Sequence, residues 1–93
     1  MRYEVLWDLR VPEGLRFLPA AERKRVVGLL LSLGDEPKPP GVRELTAPPG
    51  GLRFTEGRFA VLYVVDHRAH TVTIYQVLKD GQLLNAAEYR IDA

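Results

Sequence analysis

Gly51–Val65 reads GLRFTEGRFAVLYVV, and the pattern of this stretch decides the fold. An apolar segment, a polar turn at Glu56-Gly57-Arg58 and a longer apolar segment predict a tight β-hairpin. Side chains alternate across a strand, so Phe59, Val61, Tyr63 and Val65 share one face, the core side. Arg53, Thr55, Ala60, Leu62 and Val64 share the other. A sheet surface facing water turns polar at every second residue. Ala60, Leu62 and Val64 do not, so the second strand is expected to be covered on both faces. The cover is the C-terminal segment 83–93, a second copy of the chain, or a different protein. An apolar sheet patch on so small a chain suits an amphipathic segment.

Working outward, Asp66–His70 is a polar turn and Thr71–Lys79 a third strand, rich in β-branched and aromatic residues. Lys79-Asp80-Gly81-Gln82 turns the chain again. Leu83–Ile91 reads as a strand, a short helix, or one then the other. Towards the N-terminus, Tyr3, Val5 and Trp7 alternate with Glu4, Leu6 and Asp8 and predict a strand with one clearly apolar face. Pro12 opens a short helix to about Leu18, and Pro19 opens a second over Ala20–Leu33. In that helix Val26, Val27, Leu30, Leu31 and Leu33 form a wide apolar stripe, with Gly34 as the C-terminal cap. The two helices are expected to run antiparallel about Leu18-Pro19. Asp35–Gly50 is a proline- and glycine-rich linker pinned by Leu45, inside a single domain over residues 1–93. Helices followed by strands indicate an α+β fold: an N-terminal strand, an antiparallel helical hairpin, then a three- to four-stranded, mainly antiparallel sheet.

Composition narrows the chemistry. The 93 residues contain no cysteine, which excludes disulfides and thiolate chemistry and fits a reducing cytoplasm. The start MRYEVLWDLR lacks the apolar run of a signal peptide, and no stretch is long enough to span a bilayer, so a cytoplasmic chain with no membrane contact is expected. Net charge is +1, too low for a dedicated strong nucleic-acid binder, since phosphate neutralisation supplies most of that affinity. Ten arginines against three lysines leave room for a local anion-binding patch. His67 and His70 stand in a turn without a third ligand, so they are expected as exposed loop residues, with no metal site.

Five segments, in order, resemble one family. They are the strand RYEVLW, the Leu18-Pro19 joint, Pro37–Leu45 (PKPPGVREL, beside a family pattern N-P-x-P-P-G-V-K-K-L), the hairpin (beside G-x-Y-R-V-x-Y), and Glu88-Tyr89-Arg90 (beside E-V-Y-R). Together they resemble the RelE/ParE toxins of bacterial type II toxin–antitoxin pairs over nearly the whole chain. The resemblance implies a RelE-like fold, no cofactor, and an antitoxin partner lying on the helical hairpin or on the Leu62/Val64 face. The ribonuclease members enter the ribosome and cut mRNA without a metal. The RNA 2′-OH attacks the adjacent phosphate, and cationic side chains stabilise the charge that develops there.

Carried onto this chain, Arg53, Lys79 and Tyr89 match functional positions, with Arg58 as a possible substitute for a missing cation. Thr55 and Ala60 depart from the pattern, Ala60 standing where the family has arginine. The resemblance thus implies a toxin, in one form a ribosome-dependent mRNA endoribonuclease with a depleted site. The alternatives are a ParE-type toxin that blocks a protein such as gyrase, or a remnant that only binds an antitoxin. Ala60, Leu62 and Val64 are the candidate partner-binding residues, and a homodimer is the other way to cover them.

Overall fold

Two helices and six strands, two of them only two residues long, occupy residues 2–83, the part of the chain that a computed structural model describes. In chain order they are β1 (Glu4–Trp7), α1 (Arg10–Leu15), α2 (Ala20–Ser32), β2 (Arg43–Glu44), β3 (Gly51–Glu56), β4 (Phe59–Asp66), β5 (Thr71–Lys79) and β6 (Gln82–Leu83). They form one sheet ordered β1-β5-β4-β3-β2, with β6 also paired to β5. Only β1 runs parallel to its neighbour; every other pairing is antiparallel. This is the mainly antiparallel α+β fold that the hairpin predicts. The sheet is wider than three or four strands because the linker supplies β2. The last segment of the chain, expected as strand or helix, lies outside the described residues apart from the short β6.

Glu56 pairs with Phe59, so the hairpin turn is only Gly57-Arg58. Gly57 has φ 60°, and glycine at the first central position is what a type II′ turn requires. The matching twist of this turn fixes the register of β3 and β4.

Both helices contribute to one side of the sheet. Val11, Leu15, Leu18, Val26, Leu30 and Leu33 join Leu52, Phe59, Val61, Tyr63, Val65, Val72, Ile74 and Val77 in one buried cluster. The expected stripe on α2 is narrower than its sequence indicates. Val26 and Leu30 are buried, but Leu31 is 46% exposed. Each residue turns the helix about 100°, so a neighbour of a central core residue swings to the stripe's edge. Helix α1 ends at Leu15, earlier than expected, and the chain continues to Leu18 in tighter turns, with the Phe17 N–H donating to the Gly14 carbonyl and the Leu18 N–H to the Leu15 carbonyl. Leu18 still reaches the core.

Gly34 works by close packing rather than as a left-handed cap. A Cβ there would lie 2.8 Å from the Tyr3 carbonyl and from Val5 Cγ2. Besides the β2–β3 pairing, the linker is fastened where the Tyr63 hydroxyl donates to the Pro37 carbonyl at 2.7 Å and the Leu45 N–H donates to the Gly51 carbonyl at 2.9 Å.

Candidate functional site: the open face of the sheet

Helix packing leaves the second sheet face to be read row by row from the strand register. The first row is Arg43, Arg53, Leu62 and Gln76. The second is Thr55, Ala60 and Leu78. The third is Gly51, Val64, Thr73 and Leu6, and the last is Asp66, Thr71 and Glu4. The face is therefore basic at the β2–β3 edge, apolar in the middle and acidic at the β1 corner. Leu62, Val64 and Leu78 are half-buried and Leu6 is 43% exposed, and together they form the accessible apolar surface. Ala60 is only 5% exposed, so it offers a partner little contact surface.

The register slips between Leu62 and Tyr63, and β5 absorbs the slip as a bulge at Tyr75. Ile74 and Val77 both remain buried although they are three apart, which strict alternation forbids. Tyr75 and Gln76 between them are half-buried. Burial raises the Tyr75 hydroxyl above its ordinary pKa.

Arg43 and Arg53 are direct cross-strand partners on this face. Arg53 is half-buried and Arg43 exposed, and neither makes a side-chain hydrogen bond or ion pair among the described residues. Like charges directly opposite each other destabilise a sheet. Arg43 escapes a reading of the sequence because two residues are too few to show strand periodicity. It is hidden inside a linker whose prolines and glycines point to a loop.

The other cations expected at the site lie elsewhere. Lys79 pairs with Phe59, which places it on the helix side of the sheet. Its Nζ donates to Glu22 Oε1 on α2 at 2.8 Å. Arg58, at the hairpin turn, holds Asp80 through Nε at 3.1 Å and reaches Glu22 at 3.8 Å. The Lys79 hydrogen bond holds the Glu22 carboxyl below its ordinary pKa, and the Arg58 hydrogen bond does the same for Asp80. The Asp80 carboxylate in turn raises Arg58. So Lys79 and Arg58 are neutralised at the hairpin end, and the sheet separates Lys79 from Arg53. Tyr89 lies outside the described residues.

The histidines also differ from expectation. His67 is exposed, and its Nδ1 lies 2.7 Å from the Tyr3 hydroxyl. His70 is half-buried instead of exposed, stacked on Tyr3 at 4.1 Å, with a left-handed φ of 61°. Among the described residues no group of three or more metal-ligating side chains converges. A shallow hollow on the helix side, lined in part by Lys38, Glu44, Leu52, Val65 and His67, has its lysine tied to Glu44 at 3.2 Å.

No family model and no curated protein matches the chain by sequence. Its fold, however, has close counterparts among solved structures. The archaeal RelE–RelB complex from Pyrococcus horikoshii superposes with a TM-score of 0.75 at 26% identity, over 87% of this chain and 98% of that one. The RelBE2 toxin–antitoxin complex from Mycobacterium tuberculosis gives 0.74 at 25% identity, over 85% and 99%. The isolated RelE toxin of E. coli shares the fold with a TM-score of 0.68 at 17% identity, over 97% of both chains.

Proposed function

From the RelE-like fold of this chain, we propose that it is the toxin of a type II toxin–antitoxin pair and that it acts through the open sheet face. The observation that carries this is Arg53: a half-buried guanidinium with no carboxylate partner among the described residues, beside the accessible Leu62 and Val64. The apolar pair is where an amphipathic antitoxin segment would lie, and in lying there it would cover Arg53. Neutralisation is then simple occlusion of the working face.

On RNA, Arg53 would offer its planar fork to a phosphate and stabilise the charge that builds there as a 2′-OH attacks. Tyr89, by its place in the family pattern, would move the proton. Lys79 and Arg58 serve the fold in this reading, because their charges are already met by Glu22 and Asp80. Ribosome-bound mRNA is the proposed substrate and the cytoplasm the proposed location; no helix among the described residues is long and apolar enough to cross a membrane.

The test is to add purified protein to translating ribosomes and map the mRNA ends. New ends that vanish with Arg53→Ala support the proposal; an unchanged message rules out cleavage. A second reading, a non-catalytic toxin that blocks a protein, gains support from the missing cations at Thr55 and Ala60. Inhibition of gyrase supercoiling without mRNA cleavage would decide for it. Sedimentation of the chain alone and with antitoxin separates partner docking from a homodimer on the same face.

A further inference from the structure

We infer that Arg43 and Arg53 together form a two-guanidinium clamp for a single phosphate group, and that Arg43 rebuilds from the sheet edge some of the positive charge absent at position 60. This deepens the RNA reading of the open face and rests on it. Partnered Cα atoms in an antiparallel pair lie about 4.5–5.5 Å apart. Two guanidinium groups projecting from such a pair repel each other unless an anion sits between them. Every other cation of the sheet's hairpin end has a carboxylate partner: Lys79 has Glu22, and Arg58 has Asp80. Lys38, next to β2 in the linker, has Glu44. Of the cations carried on the strands themselves, Arg43 and Arg53 have no carboxylate partner among the described residues, whereas Lys79 has one.

The same row continues into Leu62 and Gln76, with Val64 beside it. An apolar platform with one amide next to a pair of guanidinium groups suits a nucleotide, base over the platform and phosphate in the clamp. The acidic corner at Glu4 and Asp66 would repel a second phosphate, so the face accepts one phosphodiester in register rather than a long duplex. The chain's net charge of +1 agrees with a local clamp rather than a broad electrostatic surface.

The experiment measures binding of a fluorescein-labelled single-stranded oligouridylate to the full chain by anisotropy across a salt series. Arg43→Ala and Arg53→Ala should each weaken binding about tenfold, as expected for a charge-assisted contact. Each should also flatten the salt slope by about 0.7, the loss of one phosphate contact on a single strand. If both arginines grip one phosphate, the double variant should lose much less than the product of the single losses. Arg43→Lys should fail to restore affinity, since lysine lacks the planar fork. Arg25→Ala, an equal loss of charge on exposed α2, should bind as the parent does.

Equal losses in all three alanine variants, or none in Arg43→Ala, overturn the clamp. A deoxyribose strand of the same length should bind through the same arginines, because the clamp reads phosphate and not the 2′-OH. If RNA does not bind at all while Arg43→Ala weakens capture of the antitoxin, the clamp holds a carboxylate and the phosphate assignment falls. A second readout needs no nucleic acid. Added inorganic phosphate should raise the Tm of the parent more than that of Arg43→Ala at matched ionic strength; equal shifts count against the clamp. Arginine-dependent RNA binding without mRNA cleavage would leave the clamp standing and remove only the enzymatic reading.

Discussion

Tyr63 shows how much a single side chain fastens in a domain this small. It is completely buried, and its hydroxyl reaches the Pro37 carbonyl 26 residues away. Burial pushes that hydroxyl up to about 12, so it stays a donor throughout the physiological range. Tyr63→Phe removes the donor and leaves a carbonyl without its partner, which costs about 1–3 kcal/mol in urea denaturation. Gly34 is equally constrained for a steric reason. Gly34→Ala drives a methyl into the Tyr3 backbone and Val5, and about 1–3 kcal/mol should be lost through overpacking. An unchanged midpoint in either variant would show that the linker or β1 shifts freely, contrary to the tight contacts described.

At the scale of elements, the ion network at the hairpin end ties α2 to β5 and the β3–β4 turn. Glu22 and Asp80 titrate below their ordinary values of 4.5 and 3.8. Between the folded and ordinary values the unfolded chain binds protons that the folded chain does not. The stabilisation is therefore complete above the ordinary carboxylate range and is lost as pH falls through the folded values. Glu22→Gln or Asp80→Asn should lower Tm at pH 7 and flatten the acid limb of the Tm–pH curve. A parallel downward shift, with the limb unaltered, would show that these carboxylates do not drive it. The bulge on β5 makes a sharper case. Deleting Tyr75 removes the extra residue and restores strict alternation, leaving Gln76 opposite Leu62 and Val77 opposite Val61 on their present faces. Cooperative unfolding should therefore be retained, and its loss from the near-ultraviolet signal would show that the bulge residue itself is needed to hold β5 in the sheet.

For the whole molecule, the sheet divides labour between its faces. The helix side holds the core and the neutralised cations, and the other side carries the accessible apolar residues and two arginines with no carboxylate partner among the described residues. Leu62→Glu places a charge on a half-exposed site, so Tm should change little. Co-purification with the antitoxin should nevertheless be lost. Retained co-purification would move the docking surface to the helical hairpin.

Residues 51–65 by themselves determined the hairpin, its two faces and the anomaly of Ala60, Leu62 and Val64, because the two-residue period of a strand is local. The order of motifs likewise carried the family resemblance and the α+β class. Which cations share a face was not local. Lys79 meets Glu22 across 57 residues, and the tyrosine bulge re-aims the end of β5, so only the tertiary structure could show that Lys79 leaves the site. It also brought Arg43 out of the linker and set it opposite Arg53. A two-residue strand has no periodicity to read, and exists only because β3 offers it hydrogen bonds. Charge compensation is a property of neighbours in space, and that is why the sequence named a damaged site while the folded chain locates its remaining positive charge.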